Sequence, residues 1–146
     1  TLQISGGNTV TLDNMVAFRS QKVTEETGLT LGTDYVVNYP IVDYNDGSGY
    51  KSTTGIFTAP STGIYTFIIG YNAGTSGNYK TLKIKVNSDI YEILDSDISI
   101  NTSLTRSITL KLVEGDLVSA IINVGVSVSG GPIGTGTGSF SGFRVY

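Results

Sequence analysis

Apolar and polar residues alternate along most of this chain with a period of two, the spacing of side chains on a half-buried β-strand. Tyr65, Phe67, Ile69 and Tyr71 share one face of a predicted central strand, and Ile64 and Ile68 lie on the other. Both faces of that strand need cover, one from an opposing sheet and the other from a further surface such as a neighbouring subunit. Leu82, Ile84 and Val86 alternate with Lys83 and Lys85, and Ile108, Leu110 and Leu112 with Thr109 and Lys111, which predicts two strands with one solvated face each. Val118, Ala120, Ile122 and Val124 share a face, while Leu117 and Ile121 opposite them predict burial on both sides. Turn chemistry separates these runs at Asn45-Asp46-Gly47, Pro60-Ser61-Thr62-Gly63, Ala73-Gly74-Thr75-Ser76-Gly77-Asn78 and Glu114-Gly115-Asp116. No segment has a convincing helical period. Many short strands at near-regular spacing predict an all-β sandwich or jelly roll.

Two stretches stand apart. Residues 1–14 alternate weakly ahead of Met15-Val16-Ala17-Phe18 and read as a stalk-like or edge β segment, with 15–146 as one domain. Residues 129–142 are Gly-rich and read as a flexible or recognition loop before the last strand.

Composition narrows the chemistry. A chain of 146 residues has room for one domain and a core that needs no staple. Cysteine is absent, which removes a disulfide scaffold, and histidine is absent too, which removes the usual neutral-pH base and any His/Cys zinc site. A net charge of −3 leaves no basic surplus for nucleic acid. No apolar run approaches the roughly 18 residues of a membrane span, so no membrane insertion is expected. Thr1-Leu2-Gln3-Ile4 lacks the basic and apolar regions of a signal peptide.

The acidic positions invite two site readings. Asp43 and Asp46 around Tyr44-Asn45, and Asp95 with Asp97, could hold calcium, the one cofactor considered. The first group fails the EF-hand spacing, because Gly47 stands at a ligand position and Thr54 at the closing Glu; an Asx-stabilised turn explains the same residues. Paired carboxylates such as Asp95/Asp97 or Glu114/Asp116 could serve a glycosidase, but solvated loop charges account for them, and Glu25-Glu26 reads likewise. Lys80, Lys83 and Lys85 are the nearest approach to a basic patch, and alternation makes two of them the outer face of one strand. Serine has no histidine to activate it and no nucleophile elbow to carry it, so no catalytic residue is expected.

Three groups of residues in order resemble one family. Tyr44 to Tyr50 with Gly55 and Phe57, then Pro60, Gly63, Tyr65 and Phe67, lead to Leu112-Val113-Glu114-Gly115-Asp116-Leu117-Val118 and finally to Phe140-Ser141-Gly142-Phe143 with Tyr146. From about Met15 to Tyr146 this resembles the globular head of complement component 1q and its tumour-necrosis-factor-like relatives. The resemblance implies a ten-strand jelly roll assembled as a homotrimer, with Gly63, Tyr65, Phe67, Phe140, Gly142, Phe143 and Tyr146 in the core or trimer framework. It also implies a binding head rather than an enzyme. The animal members' collagen stem is missing here, and residues 1–14 resemble the β segments that join heads to stalks in trimeric phage and bacterial fibres.

These observations set an expectation of a receptor-binding or adhesion tip outside the cell, on a cell surface or a virion. Tyr44, Asn45, Asp46, Tyr50, Tyr79 and Tyr91 are its candidate ligand contacts, since aromatic faces beside polar groups stack on sugars. Three weak sites on a trimer would gain avidity for a cell-surface glycan or protein. The rivals are a structural trimerisation, capping or virion-decoration domain, and a secreted ligand for a protein receptor.

Overall fold

The structure, a computed structural model, describes residues 2–4, 8–10, 15–73, 78–99, 101–127 and 134–146. Strands β1 (Leu2–Ile4) and β2 (Asn8–Val10) form an antiparallel hairpin of their own. One large antiparallel sheet runs in the order β11 (Ser103–Leu112), β8 (Gly63–Asn72), β13 (Thr137–Arg144), β3 (Ala17–Lys22), β5 (Ile41–Asp46). The other runs β10 (Asp89–Ile98), β9 (Asn78–Val86), β12 (Leu117–Ser127), β7 (Ile56–Thr58), β6 (Tyr50–Lys51), and β4 (Asp34–Val36) also pairs with β12. Because β4 pairs with residues 121–123 of β12 and β7 with 117–119, these two share one lane. Counted by lane, each sheet is five wide, which gives the ten of the expected jelly roll.

The alternation places the core as predicted. Tyr65, Phe67, Ile69 and Tyr71 of β8 are buried between the sheets, together with Leu82, Ile84, Val118, Ala120, Ile122 and Val124 from the opposite side. Aromatic rings dominate the middle, where large apolar area and offset or edge-on packing reinforce each other. Phe18 stacks on Tyr50 at 4.7 Å and meets Phe57 at 5.2 Å and Phe140 edge-on at 5.0 Å. Gly142 leaves room for this cluster, since a Cβ there would sit 2.7 Å from both the Phe18 and Phe67 rings.

Three expectations need correction. Leu117 is exposed, because β7 pairs beside it without covering its outer face, whereas Ile121 on the same face is buried. Tyr50, expected beside a loop, is buried because its partner across the β6–β7 ladder is Phe57 of the core. Lys80 is no part of a basic patch: it is in phase with Leu82 and Ile84 and points inward.

Registers give the sandwich two poles. Ala17 pairs with Phe143, the Arg144 N–H donates to the Val16 carbonyl, and the Ile64 N–H donates to the Tyr146 carbonyl, all at a proximal pole. At the other end Asn72 neighbours both Ser103 and Thr137, and Lys22 pairs with Gly138. The connections after β3, β8, β10 and β12 therefore leave from a distal pole.

A buried tyrosine group makes the fold sensitive to alkali. Ser20 Oγ donates to the Tyr39 carbonyl, and Tyr50 Oη both donates to that carbonyl and accepts from the Tyr39 N–H at 3.2 Å. Burial pushes the phenols of Tyr39, Tyr50 and Tyr71 upward, with the nearby tyrosines adding to Tyr39 and the Glu25 charge to Tyr71. An unfolded chain ionises them near the ordinary value of 10.0 while the folded one holds its protons. Stability is therefore intact below pH 10 and falls as pH rises, by about 1.4 kcal/mol per pH unit for each phenol held back. A phenolate absorbance titration should show these tyrosines ionising only together with loss of β-sheet circular dichroism. Ionisation at pH 10 with the fold intact would contradict it.

Candidate functional site

Connections at the distal pole are tied by charge. Lys22 and Lys80 are both buried there, at the ends of β3 and β9. Lys80 Nζ donates to the Ala73 carbonyl and lies 3.7 Å from Glu25 Oε1, and the same Glu25 oxygen accepts the Gly136 N–H at 3.0 Å. Lys22 Nζ meets Glu26 at 3.0 Å. The Thr135 N–H donates to the Glu26 carbonyl at 2.9 Å, Thr135 Oγ1 accepts the Glu26 N–H at 3.1 Å, and Thr27 bridges to Gly134. Glu25 is thus a fastener between two connections rather than a solvated loop charge, whereas the Glu26 side chain is exposed and it is the Glu26 backbone that ties to Thr135. Burial lowers the Lys80 pKa, and the Glu25 carboxylate opposes that shift.

This pole takes part of the Gly-rich stretch as well. Residues 134–136 are clamped by Glu25 and Glu26, and from Thr137 the chain is already strand β13. Gly136 adopts a φ of 76° beside the Tyr71 ring, a backbone that only glycine takes easily. Residues 129–133 lie outside the described residues.

The outer face of the first sheet is the second notable surface. Three adjacent rows cross it: Thr105, Gly70 and Ser139; Ser107, Ile68 and Ser141; Thr109, Thr66 and Phe143. No charge stands among these nine, although charged side chains are the common way to keep an exposed sheet face solvated. A shallow hollow of about 460 Å³ opens at its distal end, lined by Gly70, Asn72, Ser103, Ser139, Arg19 and Gln21 among others.

The expected contact residues do not converge. Tyr44 is exposed on β5, and Asp46 lies opposite Ala17 at the proximal end. Asn45 spends its amide on the backbone, donating from Nδ2 to the Tyr50 carbonyl at 2.8 Å and accepting the Tyr50 N–H at 3.0 Å. Tyr79 is exposed at the distal start of β9, and Tyr91 is exposed near the proximal start of edge strand β10. The four acidic calcium candidates are split between sheets, Asp43 and Asp46 on β5 and Asp95 and Asp97 on β10. Asp43 accepts from Arg19 and Gln21, and Asp95 from Arg106. Of the framework residues, Tyr65, Phe67, Phe140 and Gly142 are buried within one chain, Gly63 is half-buried, and Phe143 and Tyr146 are exposed. The sequence argument names Glu25 and Lys80 but assigns them to a solvated loop and a surface basic patch, and no signal in it joins the two.

Comparison with known proteins agrees with this architecture. The chain is similar in fold to the globular domain of zebrafish complement 1qA protein, with a TM-score of 0.70 at 21% identity over 91% of this chain and 98% of that one. Murine APRIL at pH 5.0 follows with a TM-score of 0.57 at 15% identity, covering 90% of this chain and 100% of the other. The C1q domain family model matches residues 17–145, which includes every strand of both large sheets. On that match, the chain belongs to the C1q domain family.

Proposed function

We propose that this domain is a non-catalytic trimeric binding head, carried outside the cell at the tip of a phage or bacterial surface fibre, that recognises a cell-surface glycan or protein by avidity. The observation that carries the trimer is the uncharged stretch of the first sheet's outer face formed by β11, β8 and β13, which holds Ile68 and the exposed Phe143 and is flanked by Arg19 of β3. A second, differently shaped apolar surface runs along edge strand β10, where Ile90, Tyr91 and Ile93 are exposed. An edge and a face are unlike surfaces, so pairing them gives a head-to-tail contact, which makes a ring of three where the rotation between copies is one third of a turn. Polarity supports the tip assignment: β3 begins at the proximal pole, and β3, β8, β10 and β12 end at the opposite one.

Light scattering tests the assembly. The expected mass is about three times 15.4 kDa, and Ile68→Glu should reduce it to one chain with the β-sheet spectrum retained. A monomeric wild-type chain overturns the reading. Repeating the measurement in chelator shows whether the acidic turns contribute a calcium-dependent part. A secreted ligand for a protein receptor is the second reading, favoured by full-length overlap with the complement and APRIL domains. Binding to glycan-stripped but not protease-treated cells would select it.

A further inference from the structure

Charge is divided unequally between the two apolar surfaces, the face of the first sheet and the edge of the second. Among the outward-facing residues of β11, β8 and β13, Lys111 is the one charged side chain. It is exposed and lies opposite Ile64, whose carbonyl accepts the Val145 N–H at 2.7 Å. The lysine thus ends a row that continues with half-buried Ile64 and exposed Val145, next to the row of Thr66 and Phe143. Edge strand β10 has the opposite character. Asp89, Glu92, Asp95 and Asp97 give it four acidic side chains and no basic one.

Asp95 is already held by Arg106. Lys111 and Glu92 are both exposed, and neither has an opposite charge within ion-pair distance among the described residues. A cationic apolar face and an acidic apolar edge are electrostatically complementary. Across an interface such charges fix register and reject wrong partners more than they add affinity. Two β10 edges brought together would set acid against acid, which disfavours an edge-to-edge dimer.

Symmetry selects which acid meets the lysine. Heads at one fibre tip keep their proximal poles on the same side, so the rotation axis runs from pole to pole and each residue keeps its height in every copy. Lys111 is the last residue but one of β11, which ends at the proximal pole, and β10 starts there. Asp97, near the distal end of β10, is at the wrong height. Asp89 adjoins the turn at Asn87-Ser88, whereas Glu92 stands between the exposed Tyr91 and Ile93. Counted from the proximal strand ends, Lys111 and Glu92 are about two residues out of step, or about 7 Å, which the two flexible side chains span together.

We propose that Lys111 of each copy pairs with Glu92 of the next, and that this pair sets the register of face against edge. The pairing rests on the trimeric-head reading and deepens it by naming the contact that orients one copy on another.

Light scattering of the full chain over a range of concentrations reads the contact, in enough urea to bring the wild-type trimer into balance with its subunits. Lys111→Glu and Glu92→Lys should each raise the dissociation midpoint about tenfold or more, since a ring of three repeats the like-charge contact at every interface. The double variant should return to within about threefold of wild type, because the two charges are exchanged rather than lost. Lys51→Glu makes the same change in net charge on exposed β6 of the other sheet and should stay within about twofold. Circular dichroism checks that each variant keeps its β-sheet spectrum. Single variants that behave as wild type, a double variant no better than the singles, or an equal loss from Lys51→Glu overturns the pairing. A wild-type chain that is monomeric without urea defeats the trimeric head as well, whereas a trimer indifferent to the charge exchange defeats the pairing alone.

Discussion

Phe18→Ala should lower folding stability by about 3–5 kcal/mol, the cost of deleting a fully buried aromatic and leaving most of its cavity unfilled. The ring belongs to β3 in one sheet but stacks on Tyr50 and Phe57 of the other, so it joins the layers rather than filling one of them. Its neighbours are themselves fixed: Phe140 meets it at 79°, and Phe67 packs against Phe57 and Phe140. Little collapse into the vacated space follows, which keeps the cost in the upper part of the range. Gly142 supplies a control. Gly142→Ala alone should cost about 1–3 kcal/mol by overpacking, because the new methyl collides with Phe18 and Phe67. In the Phe18→Ala background half of that collision is gone, so the two changes should be less than additive. Urea midpoints of the two singles and the double read this directly. Strict additivity would mean that a methyl at position 142 does not meet the Phe18 ring.

Glu25→Ala should cost about 3 kcal/mol, since it leaves the buried Lys80 ammonium without its carboxylate. Lys80→Met with Glu25→Gln should recover most of that loss, because a hydrophobic side chain of similar length removes the buried charge along with its partner. Position also predicts where the damage appears. Glu25 joins the segment after β3 to Gly136, so amide exchange should accelerate at Thr135 and Gly136 before it does in β8 or β12. A uniform acceleration across both sheets would show that the pair holds the whole fold and not the distal pole alone.

The core and the pole therefore differ in how far sequence could reveal them. Tyr65, Phe67, Ile69 and Tyr71 declare a buried face by alternation, since burial on a strand repeats every second residue. The same rule would have placed Lys80, which has the parity of Leu82 and Ile84; its charge drew it into a surface patch instead. Glu25 gives no such signal. It meets Lys80 across a separation of 55 positions, and only the packing of one connection over another creates the contact. Tyr50 misleads for a related reason: it follows a Gly-rich turn, yet its cross-strand partner Phe57 carries it inward. Phe143 follows Phe140 by an odd interval and so faces outward, where a single chain cannot cover it. The family motif identifies such a residue as important but does not distinguish a core role from an assembly one.

The two-pole arrangement has a mechanical consequence. A tether joined before residue 15 and a partner held at the far end would pull along the length of β3, which is paired on both sides, with β13 and with β5. Force in that direction shears the ladders, so the bonds from Ala17–Phe143 to Lys22–Gly138 must fail together rather than open one at a time. Attachment at the same two residues but loading across the strands would peel the ladder from one end, at lower force. A head built this way resists tension best along the line on which a fibre would apply it.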